Sequence, residues 1–157
     1  MRKWLALSAV VIAIDVYTKH LIQHAFQYGE HLLITPFFDL VRYHNEGAAF
    51  SFLANQGGWQ HFFFTAIAVA ASVVMIYLLR KHSEQKLFCF ALALILGGAL
   101  GNLYDRLTLG YVVDFLLFHY HGYQYYWPAF NVADSAITIG VLLLLWDGLK
   151  SQKAMVV

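Results

Sequence analysis

Charge is scarce in this chain. Of its 157 residues only 12% are Asp, Glu, Lys or Arg, against roughly 25% in soluble proteins, while 61% are hydrophobic and the mean hydropathy is +0.60. This excludes an ordinary water-soluble globule and points to an integral membrane protein. The net charge of +1 gives no pointer to a nucleic-acid partner, and none is expected. Cysteine is nearly missing: Cys89 stands alone in an apolar run, which leaves no intrachain disulfide and no cysteine-based metal cluster. A His-Glu-x-x-His pattern is also absent, and the isolated His119-x-His121 is too little to expect a metal. No small-x-small cleavage site follows the first apolar run, which Asp15 and Lys19 interrupt, so that run reads as a spanning helix rather than a signal peptide.

Four apolar stretches remain that can cross a bilayer, which takes about 20 helical residues. They run near Trp4 to Ile22, Gln60 to Leu79, Leu87 to Leu107 and Phe130 to Trp146. The expected architecture is a mainly α membrane protein, one domain over residues 1–157, with four transmembrane helices and a small interfacial β-region between helices one and two. The β-region is read from His31 to Tyr43, rich in β-branched and aromatic residues and broken by Pro36. Arg2 and Lys3, then Arg80, Lys81 and Lys86, then Lys150 and Lys153 flank one side, whereas the other two connections carry only Arg42. Both termini are therefore expected in the cytoplasm. The aromatics Tyr120, Tyr123, Tyr125, Tyr126 and Trp127 read as an interfacial belt on the opposite side.

Against this background, Asp114 and Asp134 sit where charge is least tolerated, because a carboxylate at a bilayer edge is costly unless paired, hydrated or protonated. At 1.5 Å per residue, Asn102, Asp105 and Arg106 lie roughly 22 to 29 Å up helix three, and Asp134 lies about one turn inside helix four. The polar groups thus gather toward the outer leaflet. Two neighbouring carboxylates can share one proton and activate water. Taken singly, a helix-cap reading competes well for each, and their joint placement counts against it. Asp15 and Lys19, four apart, read as a structural ion pair inside the bundle. Gly97, Gly98 and Gly101 read as close-packing positions. A proton- or ion-coupled transporter is the competing function, although four helices leave little room for alternating access and no inverted repeat is visible.

The segments Asp15-Val16-Tyr17-Thr18-Lys19, Asn45-Glu46-Gly47-Ala48-Ala49-Phe50, Gly97 through Arg106, Val112-Val113-Asp114-Phe115 and Phe130 through Ser135 resemble, in order, the sequence boxes of bacterial lipoprotein signal peptidase, signal peptidase II. Val16 and Tyr104 depart from that pattern, where glutamine and an apolar residue are expected. The resemblance implies an intramembrane aspartyl endopeptidase of the bacterial cytoplasmic membrane that cleaves prolipoproteins just before a diacylglyceryl-modified cysteine. It implies Asp114 and Asp134 as the catalytic pair, with Asn45, Gly47, Asn102, Arg106 and Asn131 as supporting or substrate-contacting residues. Asp15 and Lys19 would serve the folded bundle. No metal or organic cofactor is implied, and the expected partners are the lipid-modified substrate and membrane lipid, with the chain a monomer.

Overall fold

A computed structural model describes residues 1–46, 59–120 and 122–155, with the backbone alone at 59–61 and 151–155. In chain order the elements are α1 (Arg2–Ala25), β1 (His31–Thr35), β2 (Phe38–Asn45), α2 (Trp59–Lys81), α3 (Lys86–Leu109), β3 (Val112–Tyr120), β4 (Tyr125–Tyr126) and α4 (Val132–Met155). All four helices are long and apolar enough to cross a membrane. Helix α3 is the hub: 56% of its apolar window is buried, against 28% or less in the others, and it packs on all three.

Small residues allow that packing, because without a bulky side chain two helix backbones can approach closely. A Cβ on Gly97 would stand 2.7 Å from the Val11 Cβ, and one on Gly101 would stand 2.6 Å from Asp15 Oδ2. Helix α1 turns Ser8, Asp15 and Lys19 inward. Ser8, Val11, Asp15, Lys19 and Ile22 recur every three or four residues and are its buried positions, while Val10, Ile14, Tyr17 and Leu21 face outward. In lipid this inversion is favourable, since polar groups find partners only inside the bundle.

The sheet is antiparallel in the order β1-β2-β3-β4. The expected β-region between helices one and two is present as β1 and β2. The rest of the sheet comes from the connection between α3 and α4, where the aromatic run had suggested only a belt. Tyr120, Tyr125, Tyr126 and Trp127 are exposed, as a belt requires, but Tyr123 donates its hydroxyl to the Asp39 carboxylate. Arg42 ties the sheet to the end of α1 by donating to the Gln23 and Phe26 carbonyls at 3.1 and 2.8 Å. Lys and Arg near a helix C-terminus satisfy carbonyls that lack an intrahelical partner.

Candidate active site

Two chain reversals and a helix cap bring the polar residues together. Helix α3 ends at Gly110, which adopts φ 84° and returns its N–H to the Arg106 carbonyl. Only two residues later β3 begins, running antiparallel to β2 with Asp114 opposite Tyr43. The chain then comes back through Phe130, whose carbonyl accepts from Phe115 and Leu116, so that α4 starts beside β3. Its first residues form a reciprocal cap. The Asn131 Oδ1 accepts the Asp134 N–H at 2.9 Å, and Asp134 Oδ2 accepts the Asn131 N–H at 3.2 Å. This is why α4 begins at Val132 rather than at Phe130, where hydropathy alone places it. The cap reading of Asp134 therefore holds, but it uses only one carboxylate oxygen.

The other oxygen belongs to a larger network. Asp134 Oδ1 accepts from Asn102 Nδ2 at 2.8 Å. Asp114 accepts from Asn131 Nδ2 at 2.7 Å and from Asn45 Nδ2 at 3.0 Å, one amide on each oxygen. Asn131 thus touches both carboxylates, through its side chain to Asp114 and through its backbone to Asp134. Asp114 is buried and Asp134 half-buried. Burial, followed by the neighbouring Asp134 charge, pushes the Asp114 carboxyl up from 3.8 to about 7, against the opposing pull of the two amides and Lys19.

Behind the carboxylates lies a buried ion cluster. Lys19 Nζ meets Asp15 Oδ2 at 2.7 Å, Asp105 Oδ2 at 3.1 Å and Asn102 Oδ1 at 2.8 Å. The Asp15–Lys19 pair is thus present, and it is wider than spacing suggested. Asp15 Oδ1 also accepts the Ala133 N–H at 2.8 Å, and Asp105 Oδ2 the Val113 N–H at 3.1 Å. Each acid therefore also holds the backbone at the start of α4 or β3. The height of Asp105 along helix three suits an interfacial helix end and a site role equally, and the structure gives it a place in this cluster. Its spacing of three from Asn102, on the helix face that meets Lys19, is the signal that could have found it.

Arg106 donates to the Asn102 carbonyl at 3.4 Å and stands over the Phe64 ring, beside the constellation. Gly47 and His121 lie outside the described residues. His119 is bonded to Asp39 at 3.1 Å, in a second buried cluster where His31 and Tyr123 also reach that carboxylate. Burial raises the Asp39 carboxyl, but these three hydrogen bonds outweigh it and hold it below the usual value. An acid in the apolar run Phe38-Asp39-Leu40-Val41 was the overlooked sign of this cluster.

Two close carboxylates of unequal burial, fed by amide donors, suit acid–base chemistry on water. The family described as signal peptidase (SPase) II matches residues 7–150. The chain belongs to the signal peptidase II family. It is 59% identical over 147 residues to the lipoprotein signal peptidase of Ralstonia nicotianae, covering 94% of this chain and 84% of that one. It is 53% identical over 150 residues to that of a Janthinobacterium species, covering 96% and 90%. A bacterial membrane enzyme solved at 2.3 Å superposes with a TM-score of 0.84 at 30% identity, over 97% of this chain and 90% of its own. A second, at 1.9 Å, gives 0.82 and 31%, over 96% and 94%. Signal peptidase II membership makes this a peptidase and, with four apolar helices, a multi-pass membrane protein. The transporter reading is set aside.

Proposed function

We propose that this chain is an intramembrane aspartyl endopeptidase that removes the signal peptide of diacylglyceryl-modified prolipoproteins, cutting before the lipidated cysteine, with Asp114 and Asp134 as its catalytic pair. The observation that carries this is Asn131, which binds both carboxylates and fixes them around one amide. Near neutrality the pair holds one proton, on the more buried Asp114. Water then attacks the scissile carbonyl carbon, giving a proton to Asp134 while Asp114 protonates the carbonyl oxygen. The resulting diol collapses as Asp134 passes its proton to the departing nitrogen, the C–N bond breaks, and a diol hydroxyl returns a proton to Asp114, which restores the pair. Two carboxylates and water suffice, so no metal or organic cofactor is required. Turnover falls as pH rises through about 7, where Asp114 loses its proton.

The spans and the sheet work as a single domain in the bacterial cytoplasmic membrane, with the termini in the cytoplasm. Basic residues at Arg2, Lys3, Arg80, Lys81 and Lys86 support that orientation. In that orientation the pair, beside the ends of α1 and α3 and the start of α4, would lie toward the outer leaflet, where a cysteine anchored by acyl chains presents its peptide bond. The chain is read as acting as a monomer. In a Cys89→Ala background, Glu84→Cys should label only from the cytoplasm and Gln124→Cys only from outside; labelling of both from one side would refute the topology.

The function is tested by cleavage of a diacylglyceryl prolipoprotein in detergent. Asp114→Asn and Asp134→Asn should each lose at least about 100-fold in rate, and the double variant should be scarcely slower than either. A single asparagine variant within about tenfold of wild type, a barrier change of only about 1.4 kcal/mol, would refute the assignment.

A further inference from the structure

Lys19 lies in the membrane-buried part of α1 and makes no ion pair with either carboxylate of the pair, yet it bonds the Asn102 side-chain amide, which donates to Asp134. An ammonium has three donors and no acceptor. Lys19 Nζ donates to Asn102 and stands within ion-pair distance of Asp15 and Asp105, and the side chain is buried. The consequence for Asn102 is directional. Facing Lys19, the amide must present its oxygen, so its nitrogen must point away, toward Asp134 Oδ1. Were the amide reversed, two donors would meet at Lys19 and two acceptors at Asp134, leaving buried polar groups unpaired. The Asn131 Nδ2, 3.2 Å from the same Asn102 oxygen, adds a second constraint in the same sense.

We propose that Lys19 is a positioning residue of the peptidase, which by locking the Asn102 amide keeps Asp134 the ionised, water-activating member of the pair and leaves the shared proton on Asp114. The proposal rests on the catalytic pair named above and goes beyond it by assigning what maintains the asymmetry between its members. Orientation matters because an N–H aimed at a carboxylate favours its charged form, while a carbonyl oxygen there disfavours it. The charged groups around Asp134 among the described residues are Asp15 and Lys19 on α1, Asp105 and Arg106 on α3, and Asp114 on β3. Removing Lys19 alone would therefore alter both the amide and the local charge. These two effects are separable. Lys19, Asp15 and Asp105 together carry −1 (one cation, two anions), and Lys19→Met combined with Asp105→Asn keeps −1 (one anion) while abolishing the ammonium donors.

The experiment is the pH–rate profile for cleavage of a diacylglyceryl prolipoprotein, normalised to folded protein, for wild type, Lys19→Arg, Lys19→Met and Lys19→Met/Asp105→Asn. In both methionine proteins the acid limb should move upward by about 1 pH unit, with kcat lowered and KM within about threefold. Lys19→Arg, which also donates and cannot accept, should keep the wild-type limb. In an Asn102→Ala background, Lys19→Met/Asp105→Asn should produce no further shift. If Lys19→Met does not fold, the charge-balanced double variant decides the matter. A purely structural Lys19 would lower the melting temperature and the folded yield but leave the normalised profile on that of wild type, and this result would overturn the proposal. Failure of the catalytic pair itself would be seen separately, as retained cleavage by Asp114→Asn.

Discussion

Asp114→Asn should make the protein more stable at alkaline pH while destroying its activity. Burial and the Asp134 charge move the Asp114 carboxyl from 3.8 to about 7 in the folded protein. Below pH 3.8 it is protonated in both folded and unfolded chains, so it contributes no penalty there. Between 3.8 and about 7 the unfolded chain releases the proton and the folded protein keeps it, so stability falls steadily as pH rises; above 7 the loss is complete. A shift of about 3 units corresponds to about 4 kcal/mol at roughly 1.4 kcal/mol per unit. Asparagine does not titrate and escapes this loss. It does place one amide nitrogen against Asn45 or Asn131, at a cost of about 1 to 2 kcal/mol, but that cost is the same at every pH. Melting of wild type and variant in detergent between pH 4 and pH 8, followed by intrinsic tryptophan fluorescence, should show the variant gaining on the wild type by up to about 4 kcal/mol across that range. A stability difference that stays flat with pH would refute the burial argument for Asp114.

Asp39→Ala should lower stability by about 3 kcal/mol in chemical or thermal unfolding, since it removes the acceptor of His31, His119 and Tyr123 at about 1 kcal/mol each; a loss under about 1 kcal/mol would show that water replaces it. Gly101→Ala drives a methyl to 2.6 Å from Asp15 Oδ2 and should cost about 1 to 3 kcal/mol in melting, whereas a neutral result would mean that α1 can move away from α3. Asn131→Ser should keep the helix cap but lose the donor to Asp114. Its basic limb should then rise above that of wild type, and an unmoved limb would remove Asn131 from the chemistry.

The helices were legible because lipid imposes length and apolarity, and both can be read directly from the chain. Asp114 and Asp134 were legible for the complementary reason, being acids where acids are expensive. The sheet was only half legible. His31 to Tyr43 carries β-branched residues and a proline break, whereas Val112 to Tyr120 is equally apolar but is followed by aromatics that interfacial anchoring explains just as well. Partners distant in sequence were beyond reach. Nothing in the spacing of Asp15 and Lys19 reveals that they also hold Ala133, Asp105 and Asn102, because those contacts depend on how closely α1, α3 and α4 approach at glycines. The cluster around Asp39 was missed because its donors come from β1 and from the distant β3–β4 hairpin, which only strand register brings together.

The two carboxylates differ in what surrounds their charge, and this should give their asparagine variants opposite effects on stability. Asp114 is buried on β3, where desolvation and the neighbouring Asp134 charge oppose its ionisation. Asp134 occupies the first turn of α4, where the exposed N–H groups and the helix dipole favour a negative charge. It also accepts the Asn131 N–H that closes the cap and the Asn102 Nδ2 behind it. Replacing Asp134 with asparagine therefore gives up roughly 0.3 to 1 kcal/mol of charge–dipole interaction, and it sets an amide nitrogen against one of two existing donors at about 1 kcal/mol more. At pH 8 Asp134→Asn should melt below wild type while Asp114→Asn melts above it, although both have lost cleavage. If the two variants moved in the same direction, the fold would not be what separates acid from base, and the asymmetry would have to arise from the bound peptide.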